Sequence, residues 1–378
     1  MNPRSYWCVG KRLATVIASV LFAVLVPAAA FPTRVIDPAP PPLSPPLVGF
    51  SFSPAALPAG AIPDEALAEL LATLQPDLVR LPVYWGAVAP TESTLDYAAV
   101  DGMIETIEAH NAIKGSRHTE VMLVVGARNL VTPEVHVPDW LDTRDVRRLE
   151  TLLKAPSYRR YLESTFRRYA SLSVLRAWQV ENEPLDNARI DQLTNGAVPA
   201  SMIRSEVDLL RSIDLLHEVV VTSFNSSHVT LDIRGASPLA WLYAHLPGAK
   251  PAGHPAQVLT MGDTLGLDLY VVTKSTPLDV ITASTRIAWK EDTLDYWHAQ
   301  AESHGRALWI TEMQATPWIG TTGFTTNDLI ASALAYRGHG VSAYLLWGVE
   351  NWLDAPDWMQ VGIESIGLLR APDRAPSS

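Results

Sequence analysis

Short hydrophobic runs recur along the chain from residue 48 onward, and segments with helical character lie between them. Several of the runs are rich in β-branched and aromatic residues and are nearly continuous in hydrophobicity, which is typical of strands buried on both faces of a parallel sheet. We predict eight strands, which start near Val48, Leu78, Val121, Ala177, Val219, Leu267, Ala307 and Ser342. The starts are 30 to 56 residues apart, so each interval has room for one crossover helix.

The intervals favour helices. Residues 63–74 begin with Pro-Asp-Glu and are rich in Ala and Leu, and proline and acidic residues suit the first turn of a helix. Val100, Ile104 and Ile107 follow at helical spacing. Further helices are predicted over 157–171, 199–216, 278–304 and 326–338.

Eight alternations of strand and helix predict an α/β protein, a single-domain (β/α)8 TIM barrel over residues 48–370. The alternative is an open, doubly wound sheet. Its nucleotide-binding forms lose support, because no G-x-G-x-x-G follows the first strand and no G-x-x-x-x-G-K-[ST] occurs. About 30 residues containing three prolines follow Trp347, so we expect the eighth helix to be short or displaced.

The N-terminal 30 residues have the layout of a secretory signal peptide. Arg4, Lys11 and Arg12 precede an uncharged run over 13–30, which ends in three alanines. We therefore expect export, to a secreted or periplasmic location. The alternative is an uncleaved anchor, since the run is about long enough to span a bilayer, and only then would the protein be membrane-bound.

Two flanking segments are distinguished by composition and position. Residues 31–47 carry seven prolines, which predicts a stiff, extended linker. Residues 371–378 are expected to form a flexible tail.

Composition excludes several classes of protein. Of 378 residues, 48% are hydrophobic and 18% are charged, which excludes a wholly disordered chain and a polytopic membrane protein. The net charge of -11 argues against nonspecific binding of nucleic acid, which needs a basic face. The only cysteine is Cys8, so neither an internal disulfide nor a cysteine-based zinc site is possible. No H-E-x-x-H or other tight run of metal ligands occurs, and we expect neither a catalytic metal nor a cofactor.

In a (β/α)8 barrel the chemistry lies at the carboxyl ends of the strands. The fourth predicted strand ends in Trp-Gln-Val-Glu-Asn-Glu-Pro, which contains Glu183, and the seventh ends in Leu-Trp-Ile-Thr-Glu-Met-Gln, which contains Glu312. Two carboxylates facing each other across a concave site are what glycoside hydrolysis requires. The sequence therefore predicts an enzyme that acts on an oligo- or polysaccharide.

Together these motifs resemble the clan A glycoside hydrolases, the retaining (β/α)8 enzymes that include cellulase-like, mannanase-like and β-galactosidase families. The resemblance covers most of residues 48–370 and fits the clan better than any one family. It implies that Glu183, in the Asn182-Glu183-Pro184 motif, is the general acid/base, and that Glu312 is the nucleophile. The implied function is an exported retaining glycosidase that cleaves β-glycosidic bonds by double displacement.

The resemblance also implies substrate-binding residues. Arg80 matches an arginine of the second strand and is followed by Trp85, Tyr270 matches a tyrosine of the sixth, and Trp347 matches a tryptophan of the eighth. Asn182 would contact the 2-hydroxyl of the sugar, a contact that strengthens in the transition state. Trp347 would give an aromatic platform for a sugar ring.

Other polar and aromatic residues at strand ends compete for these roles. Glu181 would share a face with Glu183 on a continuing strand and is the main rival for the acid, while Glu350 is a second rival, interpreted as a loop or substrate-contact residue. Further candidates to line the cleft are Asn129, His136, Asp139, Trp140, Asn225, His228, Trp318, Trp352 and Trp358.

Two other functions stay open. One is a catalytically silent glycan-binding barrel, because fold and motif do not guarantee turnover. The other is a different hydrolase on the same barrel, such as a metal-dependent one. A serine nucleophile has little support, because no G-x-S-x-G elbow occurs.

Overall fold

Eight parallel strands close into a barrel in the computed structural model, which describes residues 45–131, 133–144, 146–186, 193, 195–223, 253–271, 290–317 and 323–371. The strands are β1 (Leu47–Ser51), β2 (Leu78–Tyr84), β3 (Glu120–Gly126), β4 (Leu175–Val180), β5 (Glu218–Thr222), β6 (Thr264–Leu269), β7 (Ala307–Gln314) and β8 (Ala343–Trp347). Each strand pairs with the next, and β8 returns to β1. The predicted barrel is confirmed, and the doubly wound alternative is excluded because the sheet has no edge.

Helices follow the strands around the outside. Their bounds are α1 (Pro63–Leu74), α2 (Trp85–Val88), α3 (Ala98–Ala112), α4 (Leu149–Leu152), α5 (Pro156–Tyr169), α6 (Ala200–Arg211), α7 (Pro255–Val258), α8 (Lys290–Ser303), α9 (Thr326–Tyr336) and α10 (Pro356–Arg370). The first part of the helix predicted over 278–304 lies outside the described residues. The expectation of a short eighth helix was wrong: α10 spans 15 residues, because Pro356 sits in its first turn, where proline is tolerated.

Two separate cores follow from the alternation of side chains along the strands. A small cluster fills the lower barrel interior and includes Leu78, Met122, Trp309 and Leu345. A larger apolar shell lies between the outer faces of the strands and the helices. The interior positions above the small cluster are polar, so the barrel carries its chemistry on top of a closed hydrophobic floor.

No helix within the described ranges is long and apolar enough to cross a membrane. The proposed signal segment, residues 1–30, the linker before residue 45 and the tail after residue 371 lie outside those ranges.

Candidate active site

Arg80 of β2 is the centre of the polar network above the hydrophobic floor. Its fully buried guanidinium donates to Oε1 of Glu312 at 2.9 Å and to Oδ1 of Asn182 at 2.5 Å. It also donates to Oε1 of Gln179 at 2.8 Å and to Oγ of Ser51 at 3.2 Å. Because a guanidinium only donates and stays charged, it fixes the amide orientation of Asn182 and compensates the buried charge of Glu312.

Glu312 reaches the barrel interior through an irregularity in β7. Up to this point β7 turns its odd-numbered residues inward. On the paired strand, Leu267 aligns with Ile310 and Asp268 aligns with Glu312, so Thr311 is an extra residue. This bulge shifts the alternation by one position and turns the even-numbered Glu312 inward.

Tyr270, just beyond β6, holds the other oxygen of Glu312. Its hydroxyl donates to Oε2 of that carboxylate. Burial and the neighbouring charge of Glu312 raise the pKa of Tyr270 well above its usual value, so the phenol keeps the proton that it donates. The Tyr270 ring meets the ring of Trp347 edge to face, with centroids 5.5 Å apart. Glu312 is thus held by one cation and one neutral donor.

The segment that carries Glu183 is a strained turn at the end of β4. Glu181 and Glu183 have positive φ angles of 60° and 41°, a left-handed conformation that costs energy for residues other than glycine. The backbone N–H of Glu183 donates to Oγ1 of Thr222 at 2.8 Å. Strain of this kind persists only where the surrounding structure enforces it, and here it sets the direction of the Glu183 side chain.

Glu183 lies in an environment that favours its protonated form. The residue is 7% exposed, and burial is the largest cause that raises its pKa well above the usual range. The negative charges of Glu134, Asp268 and Glu312 raise the pKa further, while the Arg128 cation opposes them. Both causes favour the protonated form of Glu183 beside the charge of Glu312.

Glu181 points away from this pair. Its buried carboxylate accepts from the backbone N–H groups of Ala127 and Arg128 at 3.2 and 2.6 Å, and from the hydroxyl of Tyr158 at 2.6 Å. A Cβ on Gly126 would collide with it. The predicted sharing of a face with Glu183 fails because β4 ends at Val180 and the left-handed turn follows at once.

Asp268 belongs to the site but is not among the residues that the sequence predicts for it. It lies two positions before Tyr270 on β6, is 1% exposed, and accepts from Oγ1 of Thr311 at 2.7 Å. Burial and the charge of Glu312 raise its pKa well above the usual range. The period of two that turns Tyr270 inward also turns Asp268 inward, and this was the available signal.

The loop after β3 adds a second charged group. Fully buried Arg128 forms ion pairs with Glu134 and, at 3.2 Å, with Asp186, and its Nε donates to the carbonyl of Asn182 at 2.9 Å. Burial raises the pKa of Glu134 to about 7. Asn182 and Asp186 are more than 50 residues away in sequence, so no local motif predicts these contacts. Arg128 ties the loop after β3 to the Asn182-Glu183 turn.

Trp85 is not brought to this cluster. It is fully buried in α2 and packs against Tyr158 and Tyr161, with ring centroids 4.8 and 6.2 Å away. A tryptophan without exposed surface offers no platform for a sugar, so the structure gives Trp85 a packing role in place of the predicted substrate contact.

The other loop candidates near β3 have local partners. Asn129 is buried and donates to the carbonyl of Val124 at 2.9 Å. The ring of His136 lies 4.1 Å from that of Tyr84, burial lowers its pKa, and Asp139 is exposed on the surface. Within the described residues, these side chains form no hydrogen bond or ring contact with Glu183 or Glu312.

The remaining tryptophans also have structural contacts. The indole N–H groups of Trp140 and Trp352 donate to the carbonyls of Ala89 and Ala315, and Trp358 stacks on Phe324. Trp318, Asn225 and His228 lie outside the described residues.

A cavity of about 220 Å³ opens at the mouth of the barrel between the ends of β1 and β8 and the loop after β3. Its described lining consists of Ser51, Ser53, Ala56, Leu130, Val131, Trp347, Gly348, Glu350 and Asn351. Glu350, which the sequence analysis treated as a loop or contact residue, is thus part of a cavity wall. In the described part of the chain, no group of three or more His, Cys, Asp or Glu side chains is placed to hold a metal ion.

Comparisons with known proteins agree with the fold. No protein-family model and no curated protein matches the sequence. Among solved structures, a GH5_18 protein from Streptomyces cattleya in complex with GlcNAc is similar, with a TM-score of 0.61 and 16% identity over 88% of this chain and 82% of that chain. At this identity the likeness shows the fold alone, and the predicted (β/α)8 barrel is confirmed.

Two further structures show the same likeness. A GH5_18 variant from Bifidobacterium longum subsp. longum in complex with Manβ1-4GlcNAc has a TM-score of 0.56 and 15% identity, over 85% of this chain and 78% of that one. An exo-β-1,4-mannosidase from Opitutaceae bacterium strain TAV5 has a TM-score of 0.52 and 16% identity, over 86% and 59%.

Proposed function

We propose that this protein is a glycoside hydrolase that cleaves β-glycosidic bonds with retention of configuration. The observation that carries the proposal is the pairing of two differently held carboxyl groups at the barrel mouth. Burial and nearby negative charges favour protonated Glu183. Arg80 and Tyr270 both donate to Glu312. Environments that push two carboxyl groups toward different protonation states assign the acid and the nucleophile.

The first step uses both groups at once. Glu183 gives its proton to the glycosidic oxygen while the Glu312 carboxylate attacks the anomeric carbon, and the bond from that carbon to the leaving oxygen breaks. The product is a glycosyl ester on Glu312 and a free alcohol. Because the ester is neutral, one charge that raised the pKa of Glu183 is gone, and Glu183 is left ready to act as a base.

The second step reverses these roles. The Glu183 carboxylate takes a proton from water, the water oxygen attacks the anomeric carbon, and the ester bond to Glu312 breaks. Two inversions at the same carbon give net retention. The freed Glu312 again receives the hydrogen bonds of Arg80 and Tyr270.

Two residues around the pair would bind the sugar, and a third supports them. Oδ1 of Asn182 already accepts from Arg80 and from Gln179 at 3.0 Å, so its amide nitrogen remains to donate to a substrate hydroxyl. Trp347 is half-buried and offers part of its ring as a platform. Arg80 is fully buried and acts through Glu312 and Asn182, because it donates hydrogen bonds to both.

The other acids near the mouth are less suited to the chemistry. Glu181 is held against backbone N–H groups on the outer side of the turn, and Glu134 is paired with Arg128. Asp268 accepts from Thr311 beneath the mouth, and Glu350 lies in the wall of the cavity between β1 and β8.

The deciding experiment measures release of reducing ends and of aryl alcohols from a panel of β-linked glycans and aryl β-glycosides. Glu312→Gln is compared with Glu364→Gln, which changes an exposed glutamate of α10. We expect hydrolysis by the parent and by the control, and a loss of about 10³-fold or more in Glu312→Gln.

The stereochemistry is followed in the same reactions by NMR of the first-formed anomer. A product of inverted configuration would contradict the assignment of Glu312 as nucleophile. Sugar binding without hydrolysis across the panel would instead favour a silent glycan-binding barrel.

Export is a second part of the proposal, and it rests on the charged start and the apolar run of residues 1–30. Expression of the full chain in a secreting bacterial host, followed by N-terminal sequencing, checks it. Mature protein that begins after Ala30 would support cleavage, and an intact N-terminus in the membrane fraction would support an anchor.

A further inference from the structure

The cavity between β1 and β8 adjoins the proposed nucleophile. Ser51, in its lining, accepts a hydrogen bond from Nη1 of Arg80, and the same nitrogen donates to Glu312. Trp347, also in the lining, contacts Tyr270, which holds the other oxygen of Glu312. The cavity therefore opens on the Glu312 side of the acid pair.

This position decides which part of a substrate the cavity receives. Glu183 must reach the leaving oxygen, so the leaving group extends past the ends of β4 and β5. The described lining of the cavity includes no residue of β4 or β5. The sugar that is transferred to Glu312 is thus the part that lies toward the cavity.

Glu350 is the only charged residue in the described lining. It is 5% exposed, and its Oε1 accepts from the backbone N–H of Ser53 at 2.6 Å. Within the described residues, no Lys, Arg or His forms an ion pair with it. A buried carboxylate without a cation is costly unless polar donors satisfy it, and burial raises the pKa of Glu350 to about 7.

A sugar supplies the missing donors. Each pyranose hydroxyl can donate one hydrogen bond, and a carboxylate has about four acceptor positions. The volume of about 220 Å³ lies below the roughly 300–1,000 Å³ of pockets for drug-sized ligands, so it suits one ring more than a chain.

We infer that the cavity holds the sugar ring that is transferred to Glu312, and that Glu350 accepts hydrogen bonds from its hydroxyl groups and selects neutral sugars over uronic acids. A uronic acid would bring a second carboxylate into a cavity whose described lining holds Glu350 and no cation, and like charges at short range disfavour binding. The inference rests on the proposed function and adds the class of sugar to it.

The test compares matched pairs of 4-nitrophenyl β-glycosides: glucoside with glucuronide, and galactoside with galacturonide. We expect the parent to prefer the neutral member in kcat/KM by about 100-fold or more. Glu350→Gln should reduce that preference at least tenfold, chiefly by raising KM for the neutral member, and the exposed Glu364→Gln should leave it unchanged.

Two kinetic results would overturn the inference. One is a parent that cleaves the uronide as well as the neutral glycoside. The other is a Glu350→Gln variant that loses the same factor on both members, because a merely structural role at the Ser53 backbone lowers all activities together. If Glu350→Gln does not fold, Glu350→Asp keeps the charge and should retain the preference with weaker binding.

Failure of the proposed function gives a different pattern. If the parent cleaves no glycoside, direct titration calorimetry with glucose, galactose, mannose, glucuronate and galacturonate tests the cavity alone. Binding of a neutral hexose that weakens at least tenfold in Glu350→Gln would support the inference without the hydrolysis. No binding by the parent, or equal binding by parent and variant, would refute it.

Discussion

A single side chain, Arg80, joins four strand ends of the barrel. Arg80 belongs to β2, and its hydrogen-bond partners come from β1, from the end of β4 and from β7. Such a fork is specific to arginine, because lysine offers a point charge without fixed geometry. At the scale of the residue, the site depends on the directions of these donors.

Replacement of Arg80 by lysine tests this dependence. Arg80→Lys keeps a positive charge beside Glu312 but cannot hold Glu312 and Asn182 at once. We expect kcat to fall by roughly 10²-fold or more, as misplacement by about 1 Å does, with a smaller change in KM. Steady-state kinetics on the best aryl glycoside, with circular dichroism as the check on folding, measure it. A variant with near-parental kcat would mean that charge alone matters.

The pH dependence of activity tests the effect of Glu134 on the pKa of Glu183. Glu134 is not among the site residues that the sequence predicts. Glu183 must be protonated to act as the acid, so kcat/KM should fall as the pH rises through its pKa. Glu134 is the largest charge that raises this pKa, and Arg128 lowers it. Glu134→Gln removes a negative charge and leaves Arg128 less compensated, and both effects lower the pKa of Glu183.

We therefore expect the alkaline limb of the profile to move to lower pH in Glu134→Gln. The matched control is Glu163→Gln on the outer surface of α5, where the limb should stay in place. A limb that moves to higher pH, or moves equally in both variants, would contradict the electrostatic assignment.

Residues chosen from sequence motifs lie together in the structure. Hydrogen bonds or charge interactions connect Glu183, Glu312, Arg80, Asn182 and Tyr270. Trp85 is not brought to this group. It is an odd number of positions from Arg80, so the two fall on opposite faces of a continuing strand, and this spacing was a sign against a shared site.

At the scale of elements, the turn that follows β4 is the decisive feature. Two glutamates with left-handed backbone flank Asn182, and the buried carboxylate of Glu181 closes the turn onto the loop after β3. Oε1 of Glu206, whose pKa burial raises well above the usual range, lies 3.1 Å from the same Tyr158 hydroxyl. This network lies behind the acid and holds the turn in shape.

Removal of the Glu181 carboxylate should therefore destabilise the fold. Glu181→Ala leaves two buried N–H groups and the Tyr158 hydroxyl without this acceptor, and each unsatisfied group costs about 1–3 kcal/mol. We expect the free energy of unfolding to fall by about 2–4 kcal/mol in urea denaturation. Glu163→Ala, which breaks only a surface ion pair with Arg167, should change it by less than about 0.5 kcal/mol. Equal effects of the two substitutions would show that the network contributes little.

The positions of the elements were more predictable than their irregularities. Seven predicted strand starts fall within two residues of the observed ones, because apolar β-rich runs mark them. β6 starts three residues earlier than predicted, since its first residues include Thr264 and Gly266. The bulge at Thr311 and the turn at Glu181 depend on contacts with other strands, so the sequence gives no local sign of them.

At the scale of the whole molecule, the raised pKa values of buried acids link stability to pH. Glu183, Glu206 and Asp268 have pKa values well above normal in the folded state, mainly through burial. Above the ordinary carboxyl pKa, the unfolded chain has released these protons while the folded chain retains them, so stability falls as the pH rises. Lys290, whose pKa burial lowers to about 7, acts in the opposite direction, but it is a single group.

We expect the melting temperature to decline between pH 7 and pH 8.5. At the start of this range, histidines of ordinary pKa, about 6.5, have already lost most of their protons in the unfolded chain. Differential scanning fluorimetry across the range, repeated with Asp268→Asn, measures the effect. The variant should show a shallower decline, and a melting temperature that rises with pH in the parent would contradict the linkage.

The barrel also brings together its first strand and its last helix on the side opposite the mouth. The carboxylate of Asp77 accepts from the backbone N–H of Val48 and from Arg370 of α10, both at 3.0 Å. Because the first strand and the last helix are fastened at one point, a short connection there would preserve every strand neighbour. A circularly permuted protein, opened in a loop at the same lower face, would thus keep its eight strands in the same cyclic order and leave the mouth untouched.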